Sequence, residues 1–248
     1  MTRFRPLLLT AALALMALAP AAHAQTPAFN DTQRRAIEEV VRDYLVKHPE
    51  VIVEAIEELQ KRERVETAEK QKTALSSNKQ KIFQDPASPV GGNPQGDVTV
   101  VEFFDYQCGY CKAVMGDIAT LLKTDGKVRF VYKEFPILGP ASLTAAKAAL
   151  AARNQGKYEP LHNALMANKG QLDDAKVFQI AASAGLDVEK LKKDMATPEV
   201  EQAIGANHAL AEELGIRGTP AFVVGNELVP GAIRLDDLKK LVAQARKG

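Results

Sequence analysis

Residues 98–111 have the sequence VTVVEFFDYQCGYC, an apolar run that leads through a short polar loop into the only two cysteines of the chain. The apolar run is typical of a buried strand, and the residues after Cys108 have the spacing of an amphipathic helix. Cys108 therefore lies at the start of a helix, where unpaired N–H groups and the helix dipole favour a thiolate. This position predicts thiol–disulfide exchange, with Cys108 as the nucleophile and Cys111, one turn later, as the thiol that resolves the mixed disulfide.

A structural disulfide and a zinc site are the two alternative explanations of the cysteine pair. A disulfide that closes so small a loop removes little entropy from the unfolded chain. Structural zinc needs four ligands, and the chain has no second pair of cysteines. The histidines beyond the N-terminal segment are His48, His162 and His208, and none has the spacing of a ligand. We therefore expect no bound metal and no cofactor.

The first 24 residues have the pattern of a secretory signal peptide. Arg3 and Arg5 precede an apolar run from Leu7 to Ala19, and Ala22-His23-Ala24 forms a small-residue cleavage site. The apolar run is short for the roughly 20 residues that a membrane span needs, so we favour cleavage after Ala24 over an uncleaved anchor. Export would place the cysteines in an oxidising compartment. The formal net charge of +1 gives no reason to expect a nucleic acid partner.

The segment 25–60 is predicted to form two amphipathic helices. Apolar residues recur at three- and four-residue steps over 30–47, and Asn30 and Gln33 have the spacing of a capping box. Residues 61–84 are highly polar and fit either a solvated helix or a flexible linker. The apolar faces of the two helices need a partner, which is either the main domain or a second copy of the chain. We favour self-association into a dimer or trimer.

Residues 85–248 are predicted to form one α/β domain. The strand over 98–104 is followed by a helix and a second strand, and the pattern over about 140–214 is helical throughout. A strand over 221–224, a tight turn, a return strand and a final helix complete the order. Residues 85–94 have the composition of a turn-rich connector. This order predicts a thioredoxin-like fold with an inserted helical domain.

Three segments resemble the DsbA-like thiol–disulfide oxidoreductases. EFFDYQCGYC (102–111) is similar to their active-site segment, GIRGTPAF (215–222) to their cis-proline loop, and VPGA (229–232) to the turn that follows. The resemblance covers about residues 85–247. It implies a cis bond between Thr219 and Pro220, with the Thr219 backbone beside Cys108 to pair with an extended client segment as an added strand.

The resemblance also implies roles for residues around the cysteines. Glu102 is a lone carboxylate in an apolar strand, so we expect it to be buried with a raised pKa and to relay protons for Cys111. The alternative is a side chain that reaches solvent at the sheet edge. Gly109 and Tyr110, between the sulfurs, would tune the redox potential. The residues expected to contact substrate are Gly109, Tyr110, Thr219 and Phe222, with Tyr106, Phe135 and Pro136 as further candidates for an apolar rim.

The N-terminal helices resemble the extensions of the suppressor-of-copper-sensitivity protein C type, in which a DsbA-like domain carries an oligomerising segment. Gly109-Tyr110 and Thr219 resemble the DsbC type of isomerase, whereas a strong oxidase would have Pro-His between the cysteines. The resemblance implies a periplasmic isomerase or reductase that acts on unfolded or misoxidised exported proteins, together with a membrane redox partner. A DsbA-like dithiol oxidase is the close alternative. A Cu(I)-binding or holdase protein is an alternative from another class.

Overall fold

The computed structural model describes residues 29–247, so the predicted signal peptide lies outside the described residues. The strands are β1 (Val90–Gly92), β2 (Val98–Phe104), β3 (Val128–Glu134), β4 (Ala221–Val224) and β5 (Glu227–Pro230). The helices are α1 (Asp31–Lys47), α2 (Glu50–Ser77), α3 (Lys79–Phe83), α4 (Gly109–Thr124), α5 (Pro140–Ala152), α6 (Tyr158–Ala167), α7 (Asp174–Ser183), α8 (Val188–Met195), α9 (Pro198–Glu213) and α10 (Leu235–Ala245). A short 3₁₀ turn, Arg153–Gln155, separates α5 from α6.

The chain divides into two compact units between Lys61 and Arg62. In the first unit, the predicted capping box at the start of α1 is confirmed. The Asn30 side chain accepts a hydrogen bond from the Gln33 backbone at 2.9 Å, and the Gln33 side chain accepts one from the Asn30 backbone at 3.1 Å. This exchange satisfies two backbone N–H groups that the first turn leaves without partners.

Helix α2 runs without a break from Glu50 to Ser77, so the polar stretch after residue 60 is a helix rather than a flexible linker as far as Ser77. Its lysine, arginine, glutamate, glutamine and alanine residues have high helix propensity. Glu66 and Lys70 add an ion pair of 2.6 Å at the favourable four-residue spacing. None of the helices in the described residues has the length and apolar character needed to cross a bilayer.

The five strands form one mixed sheet with the order β1-β3-β2-β4-β5. The central pair β2 and β3 is parallel, and the other neighbours are antiparallel. Strand β1 lies within residues 85–94, where the sequence indicated only a connector. Val90, Gly91 and Gly92 form a strand because they pair with β3, and Gly91 leaves room for the Tyr132 ring beside it. A Cβ atom at Gly91 would lie 2.8 Å from the Tyr132 hydroxyl.

The two faces of the sheet bury different sets of residues, because successive side chains on a strand point to opposite sides. Even-numbered residues of β2 and β3 face a core that is shared with α4, α10 and the inserted helices; they include Val100, Phe104, Phe130 and Tyr132. Odd-numbered residues face a second core with the end of α2, α3 and α9; they include Val101, Phe103 and Val131. Glu102, Cys108 and Cys111 therefore belong to the side that carries the inserted helices, as the predicted fold requires.

Candidate active site

Cys108 is the N-cap residue of α4 and follows β2 by four positions. Its backbone N–H donates to the Asp105 carbonyl at 3.1 Å, and its own carbonyl accepts from Lys112 N–H at 3.1 Å. Both cysteines are free thiols. Cys108 is 6% exposed, whereas Cys111, within the first turn of α4, is fully buried. The structure thus confirms the strand-to-helix junction and places the less buried sulfur at the helix N-terminus.

The loop before β4 lies directly against the Cys108 sulfur. The peptide bond between Thr219 and Pro220 is cis, as the resemblance implied. The Cys108 thiol donates a hydrogen bond to the Thr219 carbonyl oxygen over 3.2 Å. Residues 111 positions apart in sequence therefore meet at the sulfur, and the geometry depends on the pairing of β4 with β2.

The expected substrate contacts divide into surface and core residues. Tyr110 is 70% exposed, and a Cβ atom at Gly109 would meet no other heavy atom within 4 Å. Phe222, by contrast, is fully buried in the core. Its expected contact with substrate is therefore wrong, because an even-numbered position on β4 points into the apolar core. Tyr106 and Phe135 are also buried and cannot form an exposed rim.

Asp105 is a buried carboxylate whose role the sequence analysis missed. Its Oδ1 accepts from the Gln107 backbone and the Ser142 hydroxyl, both at 2.7 Å. Its Oδ2 accepts from the backbone N–H groups of Ile137 and Leu138 at 2.8 and 2.9 Å. Three of these four bonds tie the active-site loop to the loop that enters the inserted domain and to the start of α5. An aspartate just after a strand and two residues before Gln107 is an Asx-turn signal that could have indicated the local bond, but not the distant ones.

Glu102 lies inside the sheet and is 2% exposed, so the alternative of a side chain that reaches solvent is wrong. Its Oε1 atom has no hydrogen-bond partner among the described residues. Burial raises the pKa of Glu102 well above its usual value, and negative charge on Cys108 and Glu134 raises it further. Burial also raises the pKa of the Cys111 thiol, with Glu102 as the next cause. The two groups are thus close enough to affect each other's ionisation.

A third buried carboxyl, Glu134, lies at the end of β3 and was not singled out from the sequence. Its Oε1 accepts hydrogen bonds of 2.8 Å from the hydroxyls of Tyr106 and Tyr158. The Tyr106 hydroxyl also lies 3.1 Å from Nδ1 of His162. Burial raises the pKa of Glu134 to about 8, against the lowering effect of the two hydroxyls, and lowers the pKa of His162 to about 3. Glu134 lies on β3, which pairs with the strand that leads to the cysteines. The spacing of the residues around it gave no sign that it belongs to the site.

The three histidines of the described residues lie in the core, against a core ring or on the surface. His162 packs among the aromatic rings of the core, and His208 lies against Phe135 with 4.9 Å between ring centroids. His48 pairs with Glu50 on the exposed surface. Between residues 29 and 247, no three side chains of the His, Cys, Asp or Glu type converge in a way that could hold a metal ion.

Comparison with known proteins gives two family matches. The DSBA-like thioredoxin domain matches residues 99–243, and the N-terminal domain of copper resistance protein ScsC matches residues 33–66. A thioredoxin-like oxidoreductase from Silicibacter pomeroyi DSS-3 is 51% identical, with a TM-score of 0.68 over 69% of this chain and 99% of that one.

Two further solved structures match this chain over most of their own length. Proteus mirabilis ScsC in a transitional conformation is 30% identical, with a TM-score of 0.66 over 88% of this chain and 99% of that one. The thiol-disulfide exchange protein alpha-DsbA2 from Wolbachia pipientis is 35% identical, with a TM-score of 0.67 over 71% of this chain and 96% of that one.

Curated relatives are much longer than this chain. The Na(+)/H(+) antiporter NhaA 1 of Salinispora arenicola (strain CNS-205) is 29% identical over 161 residues, which are 64% of this chain and 25% of that protein. The chain thus spans about a quarter of the length of such relatives. The domain match, the cis-proline loop and the cysteine pair at the start of α4 agree with one another. The chain belongs to the DsbA-like family of thiol–disulfide oxidoreductases.

Proposed function

We propose that this protein is a thiol–disulfide isomerase or reductase that acts on exported proteins through Cys108 and Cys111. The observation that carries the proposal is the environment of the Cys108 sulfur, at the N-terminus of α4 and 3.2 Å from the Thr219 carbonyl. A helix N-terminus favours the anionic form of a thiol. The Thr219 backbone offers an extended client segment hydrogen-bond partners next to that sulfur.

The proposed reaction begins when the Cys108 thiolate attacks one sulfur of a client disulfide. A new S–S bond joins Cys108 to the client, and the second client sulfur leaves with the electron pair as a thiolate. If that thiolate or another client thiolate attacks the mixed disulfide, the client gains a different pairing and Cys108 is released. No net oxidation has then occurred, so the outcome is isomerisation.

The mixed disulfide is resolved differently when Cys111 attacks. The Cys111 thiol gives its proton to the Glu102 carboxylate, and the Cys111 sulfur then bonds to Cys108. The client sulfur leaves with the electron pair, so the client disulfide has been reduced and the enzyme dithiol oxidised. A dithiol partner in the membrane would return the enzyme to its reduced form.

The surface around Cys108 supports a client that is unfolded or wrongly paired. Tyr110, in the first turn of α4, and Ile137 and Leu138, on the loop that Asp105 binds, are exposed apolar side chains. Exposed apolar groups of this kind suit the apolar side chains that unfolded proteins present to solvent. The open space at Gly109 leaves room for a client backbone to approach the sulfur.

We predict that the reduced protein restores activity to scrambled ribonuclease. Non-native disulfides are replaced by native ones only if mixed disulfides form and break repeatedly. The recovery rate is expected to exceed that of a Cys108→Ser control at least about tenfold. Recovered ribonuclease activity is the measurement. If the oxidised protein forms disulfides in reduced ribonuclease but the reduced protein never rescues the scrambled form, the chain is a dithiol oxidase instead.

We further propose that the first unit binds a second copy of this chain. Ile37, Val40, Val41 and Tyr44 form an exposed apolar row on α1, and α1 buries none of its residues. On α2, Ile52 and Ile56 are also exposed apolar residues. An amphipathic helix gains most of its stability when its apolar face is covered. The match of residues 33–66 to the ScsC N-terminal domain supports a dimer or trimer.

We predict that Val40→Glu lowers the mass in solution to that of a monomer, because a charge in the apolar row would be buried on association. Val46→Glu is the matched control. Val46 is 71% exposed, compared with 69% for Val40. At about 100° per residue it lies about 120° from Val40 and about 180° from Ile37 around α1, outside the apolar row. Light scattering coupled to gel filtration measures both variants. If Val40→Glu keeps the mass of the wild type, this surface does not mediate self-association.

The signal-peptide pattern of residues 1–24 supports a periplasmic location, which we include in the proposal. An oxidising compartment would supply the wrongly paired proteins on which an isomerase acts. It would also oxidise Cys108 and Cys111 unless the proposed membrane partner kept reducing them.

A further inference from the structure

Two buried carboxyl groups lie on the same face of the sheet, close to the cysteines. In the parallel register of β2 and β3, Glu102 pairs with Tyr132 and Phe104 pairs with Glu134. Glu102 and Glu134 are therefore diagonal neighbours on one face. Strands lie about 4.8 Å apart and two residues rise about 6.6 Å, which places the two Cβ atoms roughly 8 Å from each other. Both side chains are at least nine-tenths buried.

The two carboxyls differ in their hydrogen bonds. Glu134 Oε1 accepts from two tyrosine hydroxyls, whereas Glu102 Oε1 accepts from no described residue. Hydrogen bonds to the charged form stabilise it, so a carboxylate at Glu134 costs less than one at Glu102. Glu134 Oε2 has no partner among the described residues and is free to carry the proton when Glu134 is neutral.

The groups around Glu134 do not neutralise its charge. The titratable side chains around it are Glu102 on β2, Asp105 and Tyr106 in the following loop, Tyr132 on β3, and Tyr158 and His162 on α6; beyond Glu102 lie Cys108 and Cys111. Asp105 adds negative charge, and burial keeps His162 neutral at ordinary pH. Lys133 faces the other core and pairs with Asp85 at 2.8 Å. No basic side chain in the described part of the chain forms an ion pair with Glu134.

We propose that Glu134 is a positioning residue that holds the proton on Glu102: it ionises first, and its negative charge then keeps Glu102 in the acid form. Two like charges this close in a buried site cannot both form easily. An acid at Glu102 cannot accept the Cys111 proton, so Cys111 remains a thiol and attacks the mixed disulfide slowly. This inference rests on the proposed function and deepens it.

The consequence concerns the choice between reduction and isomerisation. A slow Cys111 leaves the client attached to Cys108 for longer, which gives client thiols time to attack the mixed disulfide. Above the pH of about 8 at which Glu134 ionises, its charge thus favours isomerisation without touching client or sulfur. The raised pKa of Glu102, to which negative charge on Glu134 contributes, agrees with this geometry.

The test follows the two cysteines separately with 5,5′-dithiobis(2-nitrobenzoate). Cys108 of the reduced full-length protein attacks the reagent and releases one nitrothiobenzoate anion. Cys111 then attacks the resulting mixed disulfide and releases a second, so the slower absorbance phase reports Cys111 alone. The rate of this phase is measured against pH, and we expect it to rise as Glu102 ionises.

We predict that Glu134→Gln moves this rise about one unit toward lower pH, because removing the like charge lets Glu102 ionise earlier. The second phase is then up to about tenfold faster above the pH, about 8, at which Glu134 ionises, and nearly unchanged at lower pH. Glu159→Gln is the matched control, since Glu159 is exposed on α6 and its oxygen lies 3.5 Å from the Tyr132 hydroxyl. It is expected to leave the profile in place.

Damage to the fold would slow the second phase at every pH. A second phase that is faster only at alkaline pH therefore reports the loss of the Glu134 charge and not damage to the fold. Tyr158→Phe removes one of the two hydroxyl donors and is expected to shift the profile in the same direction by less. If Glu134→Gln does not fold, the pH profile of Tyr158→Phe decides whether the inference about Glu134 holds. An unshifted or slower profile overturns the inference while the proposed function stands. A wild type that releases only one anion overturns both.

Discussion

We expect a Cys111→Ala variant to accumulate client proteins joined to Cys108, whereas a Cys108→Ser variant should capture none. Cys108 can still attack a client disulfide in the first variant, but the buried thiol that would release the client is missing. Serine in the second variant has no ionisable sulfur, so reduction of insulin is expected to fall by roughly a thousandfold or more. The captured clients appear as high-mass bands on non-reducing gels and disappear when a reductant is added.

The effect of Cys111→Ala on folding can be measured separately from its effect on client capture. Cys111 is fully buried in the first turn of α4, so alanine removes the sulfur without adding bulk to the core. A small cavity is left, and the free energy of unfolding should fall by only about 1–2 kcal/mol. If a folded Cys111→Ala protein forms no mixed disulfide with scrambled ribonuclease, Cys108 is not the attacking sulfur and the proposed function is wrong.

Replacing Glu102 with glutamine should make the folded protein more stable at alkaline pH while it slows the resolving step. The folded state holds the proton on Glu102 because burial and nearby negative charge raise the pKa of this carboxyl, whereas the unfolded chain loses the proton near 4.5. The unfolded state therefore gains relative stability as pH rises above that value and up to the folded pKa. Glutamine has no carboxyl proton to lose, so the folded state of the variant does not lose stability in this way as the pH rises.

The gain in the free energy of unfolding is expected at pH ~8 and should be close to zero at pH ~4, because the unfolded chain loses the Glu102 proton only above about 4.5. Urea unfolding of the reduced protein at the two pH values measures it. The resolving step should slow by roughly 10- to 100-fold, because Cys111 loses its proton acceptor. Glu227→Gln, on an exposed position of β5, should change neither quantity.

The opposite signs of the two effects make the Glu102 prediction specific. A residue needed only for packing would lose stability and rate together when it is replaced. A variant that is less stable than the wild type at pH ~8 would contradict the buried-acid interpretation. A variant with an unchanged second phase across the pH range would remove Glu102 from proton transfer and leave the cysteines as the whole of the active site.

Local signals in the sequence were sufficient for the elements that carry the cysteines. The apolar run gave β2 its observed bounds, Val98–Phe104, and the start of α4 falls beside Cys108 as the helical spacing indicated. The capping box at Asn30 was likewise visible, because a cap depends on residues three positions apart. The match of GIRGTPAF to a known loop predicted the cis bond before Pro220.

Features that depend on strand order could not be predicted from the sequence. Strand β1 exists because β3 offers it an edge, and three residues with two glycines carry no periodic pattern. Phe222 was expected at the surface, but the pairing of β4 with β2 turns it into the core. Asp105 could be identified as a turn residue, while its bonds to Ile137 and Leu138 required the loop beyond β3 to lie beside it.

The sequence by itself determined the chemistry, because two cysteines at a helix start depend only on neighbouring residues. Only the tertiary structure decided the proton environment of that chemistry. Glu102 and Glu134 lie 32 positions apart, and the parallel register of β2 and β3 brings them to one buried face. The tyrosine hydroxyls that distinguish the two carboxyls come from a loop and from α6. Such long-range packing leaves no local pattern, since each residue alone fits many other environments.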